Sequence, residues 1–381
     1  MKKKLAVIVL TIVFVGVLLA GCGATDENGT TGVTEADSTT EVENSTESED
    51  KTDTESQTET EDKSGAENQA AVEDGAEVEP QSDGVDIKIG ALKGPTSMGL
   101  VRLMELSDEG ETVNNYDFTM AAAADELLPK VISGDLDIVL VPANVASVLY
   151  NKTEGGVSVI DINTLGVLYM VSGDEAIKTM EDLKGKTLYL TGKGTTPDYV
   201  LQYLLTENGM STQDLTLEYK SEATEVAALL AENPDAVGLL PQPFVTAACM
   251  QNEALSIVMD MTKEWDVVQG EGGSSLVTGV TVVNNKFLQQ NPEAVSKFIK
   301  EHKESAAYAN ENVEAAAELV AARGIVEKPQ VAAKAIPYCN IVCIYAEEMK
   351  QALEGYLEVL YNADASSIGG SLPADDFYYL P

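Results

Sequence analysis

Apolar and polar positions divide the chain into three stretches of unlike pattern. Leu5 to Ala20 is almost continuously apolar and follows Lys2-Lys3-Lys4. Gly23 to about Val85 contains no Phe, Tyr, Trp, Leu or Ile. From Asp86 the alternation of a folded chain begins. Asp86–Leu92 alternates and then turns apolar, predicting a strand, and Lys93-Gly94-Pro95-Thr96-Ser97 breaks it before a helix over Met98–Leu106. Tyr116–Ala122 predicts a second strand, Ala124–Ile132 a helix ending near Gly134, and Leu136–Val141 a third strand. That third run is continuously apolar, as a parallel strand buried on both faces should be. Strand–helix–strand succession predicts an open parallel sheet with right-handed crossovers.

A second pass begins near Lys184-Gly185-Lys186. Thr187–Thr191 predicts a strand, Pro197–Glu207 a helix, Leu215–Tyr219 a strand, Thr224–Ala231 a helix and Ala236–Leu240 another buried strand. Leu276–Val283 is apolar and β-branched, and is expected to carry the chain back to the first sheet. Beyond it the periodicity is helical over Pro292–Ala309, Val313–Ala322, Gln330–Ile336 and Ala346–Tyr361. These helices are expected to pack around the first half.

The N-terminal pattern acquires a meaning at Leu19-Ala20-Gly21-Cys22. A basic start, an apolar run and small residues at a cut site form a signal peptide. L-A-G-C resembles the bacterial lipoprotein lipobox, which implies acylation of Cys22 and removal of residues 1–21. A plain signal peptide and a transmembrane helix are the alternatives; the run is short for a hydrocarbon core of ~30 Å. Residues 22–85 then read as a lipid-anchored acidic linker. Gly23–Val85 carries 20 acids and two lysines, a net charge of -18. Such a composition cannot bury enough apolar surface to offset its ordering entropy. As a flexible coil it spans on the order of 45 Å.

Charge narrows the partners. Of the -39 on the whole chain, the linker holds -18 and the three N-terminal lysines contribute +3, leaving -24 for residues 86–381. Nucleic acid is a poor partner for such a body. With Cys22 on the anchor, Cys249, Cys339 and Cys343 offer no disulfide framework. Cys339 and Cys343 could share a helix face, but C-x3-C without histidine neighbours is a weak metal signal. The one histidine, His302, sits in Lys300-Glu301-His302-Lys303-Glu304 and reads as a solvated helix face. No catalytic set, metal site or cofactor is expected.

Two loops share a detail. Lys93-Gly94-Pro95-Thr96 and Lys193-Gly194-Thr195-Thr196 each follow a strand and open a helix. Ligands of open α/β sheets bind at the carboxyl ends of strands, where helix N-termini offer free N–H groups. Two such loops facing one another would grip a small polar or anionic molecule from both sides.

Residues from about Asp86 to Asn312 resemble the periplasmic-type solute-binding proteins of ABC importers, in the nitrate/sulfonate/taurine group that includes thiamine-pyrimidine binders. The resemblance rests on three stretches. They are Ser133-Gly134-Asp135-Leu136-Asp137-Ile138 with Pro142 and Asn144; Met180–Thr187 with Thr191–Pro197 and Leu204–Gly209; and Ala236–Phe244 with its Pro241-Gln242-Pro243-Phe244 turn. It implies an α/β fold of two lobes, a Venus flytrap of mostly parallel sheets flanked by helices. Two hinge crossovers are expected near Val171–Gly173 and Gly279–Val283. Lobe 1 is then 86–172 plus 282–381, and lobe 2 is 173–281. It also implies a monomer that closes on a small solute and delivers it to a membrane permease with its ATPase, outside the cell membrane and without catalysis. Gln242 stands where the family often has Glu, which weakens the case for a cationic ligand. The cysteine-rich motif and sacrificial histidine of the yeast pyrimidine synthases have no counterpart in a cleft position.

The candidate ligand residues are Thr96, Ser97 and Met98 in the first loop, Ala122 and Ala123 after the second strand, and Pro142 and Asn144 after the third. Thr195, Thr196, Gln242 and Phe244 come from the second pass. Asn144 and Thr196 could instead cap helices, and Phe244 could be core. Tyr199 and Trp265 are more remote options, and Lys93 and Lys193 would suit an anion. A ligand-sensing surface lipoprotein that partners a receptor is the alternative to an import role.

Overall fold

In a computed structural model the described residues run from Gly84 to Pro381, so the anchor, Cys22 and most of the linker lie outside them. The first pass forms β1 (Asp86–Leu92), α1 (Pro95–Met98), α2 (Val101–Glu109), β2 (Asn115–Ala121), α3 (Leu128–Ser133), β3 (Ile138–Pro142), α4 (Ala143–Lys152) and β4 (Val157–Leu165). The second forms β5 (Leu168–Ser172), β6 (Thr187–Leu190), α5 (Thr196–Glu207), β7 (Thr216–Tyr219), α6 (Ala223–Glu232), β8 (Val237–Pro241), α7 (Phe244–Gln251), β9 (Ser256–Asp260) and α8 (Met261–Gln269). The chain then returns through β10 (Val277–Asn284) to α9 (Asn285–Gln290), α10 (Pro292–Glu311), α11 (Val313–Ala322), α12 (Pro329–Ala335), β11 (Ile341–Ile344) and α13 (Ala346–Ala363). No helix of the described residues is long and apolar enough to cross a membrane.

Two sheets result, ordered β11-β4-β10-β3-β1-β2 and β7-β6-β8-β5-β9. The fold is α/β with two helix-flanked sheets, as expected. The parallel pairs are β1–β2, β1–β3, β6–β7 and β6–β8, each built from the strand–helix–strand runs visible in sequence. The strands that exchange the chain between sheets, β4, β5, β9 and β10, pair antiparallel, as does β11. The sheets are therefore mixed rather than mostly parallel.

The first changeover falls at Gly166–Val167, because β5 joins the second sheet from Leu168. The return lies between Asp260 and Val277. The Val171–Gly173 and Gly279–Val283 segments thus sit one strand inside each sheet. Only Gly166 and Val167 separate β4 from β5, so no longer turn marks the crossing in sequence.

One apolar cluster is continuous from Val139 and Val282 of the first sheet to Leu188 of the second and Leu201 of α5, through Leu353, Tyr356 and Leu357 of α13. Trp265 of α8 is fully buried at this join. Its ring lies 4.8 Å from that of Tyr203 and 5.6 Å from that of Tyr356, and its Nε1–H donates to the Ser274 carbonyl at 2.9 Å. Packing, rather than stacking on a ligand, occupies this tryptophan.

Two expectations about the helical region are corrected. His302 is buried in α10, not solvated, because its face of the helix packs on β4 while its charged neighbours face out. Cys339 closes a 3-10 turn after α12 and Cys343 lies on β11, so the two share no helix face.

Trp265→Ala removes the largest side chain at the join and should cost about 3–5 kcal/mol. Urea unfolding followed by far-ultraviolet circular dichroism measures this. A loss below ~1 kcal/mol would mean the two halves do not share a core there.

Candidate functional site

The expected site residues lie where strands of the two sheets end. After β1, Gly94 adopts φ 142° and accepts hydrogen bonds from the Ser97 backbone N–H at 3.2 Å and hydroxyl at 3.1 Å. This tight turn drives Ser97 and Met98 inward to full burial, Met98 among Val101, Ala306 and Ile341. Thr96 packs on β10. A Cβ at Gly279 would stand 2.5 Å from Thr96 Cγ2 and 2.4 Å from Asn163 Oδ1, so only glycine lets the loop approach the strand.

Ala122 and Ala123 are exposed, but both backbone N–H groups donate to Glu126 Oε1 at 3.1 Å. Pro142 precedes α4, and Asn144 lies in its first turn without capping it. Its Nδ2 donates to the Ser367 carbonyl at 3.3 Å.

The second sheet answers from α5. Asp198, in the first turn, is 3% exposed. Its carboxylate accepts from the Gly194 N–H, Gln202 Nε2 and the Tyr219 hydroxyl, each at 2.8 Å. A buried carboxylate needs such a full set of donors, and here they pin the Gly192–Thr195 turn. Thr195 Oγ1 donates to the Gly192 carbonyl at 2.6 Å. Lys193 Nζ lies 5.4 Å from the Tyr219 ring centroid, in cation–π range, rather than free to meet an anion. Burial, and then the hydrogen bond to the Asp198 carboxylate, push the Tyr219 phenol up.

The two sets meet at one point: Thr196 Oγ1 donates to Asn144 Oδ1 at 3.4 Å. Tyr356 of α13, fully buried, shares a hydrogen bond with the Thr196 side chain; burial drives its phenol up and that bond offsets part of the rise. Beside it the Tyr199 hydroxyl donates to Asp364 Oδ2 at 3.0 Å. Bonds from Ser366, and then Tyr199, hold the Asp364 carboxyl below its usual range.

Gln242 and Phe244 stand apart from this contact. Gln242 is 2% exposed, and its Oε1 accepts from the Thr246 N–H at 3.3 Å and hydroxyl at 2.8 Å, while its Nε2 has no partner among the described residues. Phe244 is half-buried against the cluster of Tyr169, Leu230 and Val245. One residue further, Val245, Thr246 and Cys249 begin the lining of a cavity of about 680 Å³. Its far wall is Lys334 and Tyr338, from α12 and the turn after it. That volume suits a small ligand, and none of the expected site residues lines it.

Sequence reasoning missed Asp198, Tyr356 and Asp364. Asp198 had a signal, since an acid directly after Thr196-Pro197 suits a helix N-terminus. Tyr356 and Asp364 had none, because α13 reads as a generic amphipathic helix.

The fold, two α/β sheets joined by crossing strands with helix N-termini meeting between them, is the one seen in solved periplasmic binding proteins. The family model described as NMT1/THI5 like matches residues 155–316. An ABC transporter structure from Parabacteroides distasonis is similar at TM-score 0.64 and 24% identity, covering 78% of this chain and 99% of that one. The periplasmic aliphatic sulphonate binding protein SsuA from Escherichia coli matches at TM-score 0.62 and 15% identity, over 78% of this chain and 92% of that one. A protein of Brucella abortus (strain 2308), named as a binding protein, is 25% identical over 173 residues, 45% of this chain and 51% of its own. The chain thus spans about half the length of the curated relatives it matches. The expected likeness to solute-binding proteins of ABC importers is borne out, with Met180–Thr187 and Ala236–Phe244 inside the matched residues; the Brucella relative and SsuA are both named as binding proteins.

Asp198→Ala strands three donors and should destabilise the protein by about 1–3 kcal/mol, with faster hydrogen exchange at the Gly194 amide. Unchanged exchange at Gly194 would show that the turn holds without the carboxylate.

Proposed function

We propose that this chain is an extracytoplasmic solute-binding lipoprotein. Acylated Cys22 holds it on the outer face of the cell membrane and residues 23–85 give it reach. A small molecule is captured between two lobes and passed to an ABC permease with its ATPase. Lobe 1 carries the first sheet and lobe 2 the second, so the bounds expected at 172–173 and 281–282 move to the exchanges of sheet at Gly166–Val167 and between Asp260 and Val277. The observation that carries this reading is the Thr196–Asn144 contact, which joins first-turn residues of helices from opposite sheets. A ligand that replaces this bond with its own polar groups touches both lobes and stabilises their closure.

The solute class follows from the charges beside that contact. Lys193 faces Tyr219, Asp198 and Asp364 stand near, and the body is strongly acidic. A fully ionised sulfonate, the aliphatic class named for SsuA, is a poor fit. A neutral or weakly charged polar compound, including a heterocycle, fits better.

A thermal-shift panel of alkanesulfonates, pyrimidines and other heterocycles tests this. A ligand at 100 times its Kd stabilises the folded state by ~2.7 kcal/mol. For the best neutral compound, Thr196→Ala and Asn144→Ala should each weaken binding by about 2- to 12-fold, the worth of one hydrogen bond. A sulfonate as the best hit would overturn the solute class, and unchanged affinity in both variants would overturn the site. Cys22→Ser should release the protein from the membrane fraction; a variant that still carries lipid would refute the anchor.

A further inference from the structure

The returning chain brings together three side chains of metal-ligating chemistry from three elements. Asp161 lies on β4, His302 on α10 and Cys343 on β11, and one donor atom of each lies within 4.8 Å of the other two. Asp161 and His302 are fully buried, whereas Cys343 is half-buried on the edge strand of the first sheet. His302 Nδ1 stands 3.1 Å from Asp161 Oδ2. The other oxygen, Oδ1, accepts from Thr281 Oγ1 at 2.7 Å, and Thr281 is held in turn by Asn163 Nδ2 at 3.2 Å. The Cys343 thiol meets the Ile299 carbonyl at 3.8 Å. His302 Nε2 is buried without a partner among the described residues.

A buried carboxylate beside an imidazole and a thiol is costly unless something balances it. Thr281 serves one carboxylate oxygen. The imidazole Nδ1 serves the other, and a cation would take the place of the proton between them while also meeting the sulfur. The 3.1 Å between Asp161 Oδ2 and His302 Nδ1 is close to the roughly 3.3 Å that separates two tetrahedral ligands at metal distances of about 2.0–2.1 Å. Thiolate, imidazole and carboxylate are together a zinc-type donor set. Cys343, on the edge strand and part-exposed, gives the ion its way in.

We propose that Asp161, His302 and Cys343 form a zinc-binding site that ties β11 and α10 to β4. On binding, the imidazole proton passes to Nε2, leaving the Nδ1 lone pair for the metal, and the Cys343 thiol proton is released to solvent. Burial and the Asp161 charge push that thiol up in the metal-free protein; the cation reverses the balance by pairing with the thiolate. The site is separate from the Thr196–Asn144 contact and does not depend on the import reading.

Co(II) titrated into the chelator-treated full chain is the direct test, because a thiolate ligand gives cobalt an intense near-ultraviolet charge-transfer band that carboxylates of the acidic linker do not. One equivalent should develop the band, Zn(II) should abolish it by displacement, and Zn(II) should raise the melting temperature by mass action. The band and the zinc-induced rise should be lost in Cys343→Ala and kept in Cys22→Ala and Cys249→Ala. Should Cys343→Ala fail to fold without metal, Cys343→Ser is read the same way. Absence of the band in the unaltered chain, or its survival when Cys343 is replaced, overturns the proposal.

Discussion

Everything in this molecule depends on how the chain leaves one sheet and enters the next at Gly166–Val167. The crossing is held by hydrogen bonds from both sides. The Gln242 N–H donates to the Val167 carbonyl at 3.0 Å, the Leu165 N–H to the Asn340 carbonyl at 3.1 Å, and Asn340 Nδ2 to the Gly166 carbonyl at 2.6 Å. Gly166 leaves no space for a side chain, since a Cβ there would stand 2.2 Å from Thr262 Oγ1. The chain changes sheet here and returns between Asp260 and Val277, so two strand crossings join the halves. Between such halves, the natural place for a ligand is where their strands end.

The crossing does not by itself fix the distance between the halves. The C-terminal helix α13 does much of that work. Its Tyr356 reaches both the aromatic stack at Trp265 and the Thr196 hydroxyl. Just beyond α13, Asp364 accepts from Tyr199 of α5. A segment distant in sequence from both loops thus supplies a wall of the site and part of the packing that favours closure. Apolar burial here is non-directional, whereas the hydrogen bonds at Thr196 and Tyr199 fix register.

Much of the fold was legible because parallel strands buried on both faces announce themselves as apolar runs. β3, β6 and β8 fall within a residue or two of their expected bounds, and so do α5, α10 and α13. Of the crossing strands, β10 was legible as the apolar Leu276–Val283 run, whereas β4, β5 and β9 were not. β4 carries Ser158, Asp161, Asn163 and Thr164, all buried, so it lacks the apolar pattern that marks a core strand. Asp161, Asn163 and Thr164 are tolerated there because they bond one another or Thr281 of β10, and Ser158 because it donates to Asn285 and to the Asp376 carbonyl. The same network reverses the reading of His302: a histidine among lysines and glutamates looks solvated until its partner, Asp161, is known to lie beneath. For the site, strand-end loops located Asn144 and Thr196, but sequence could not say that Ser97 and Met98 turn inward or that Glu126 occupies the amides of Ala122 and Ala123. Those outcomes are set by long-range packing.

The central claim is that one small molecule is held by strand-end loops of both sheets at once. Hydrogen exchange read by mass spectrometry, with and without the strongest thermal-shift ligand, measures it most directly. Protection should rise together in 142–144 and in 192–196, with 360–367 following. Protection confined to one sheet, or falling only on the cavity beside Val245 and Tyr338, would contradict the account.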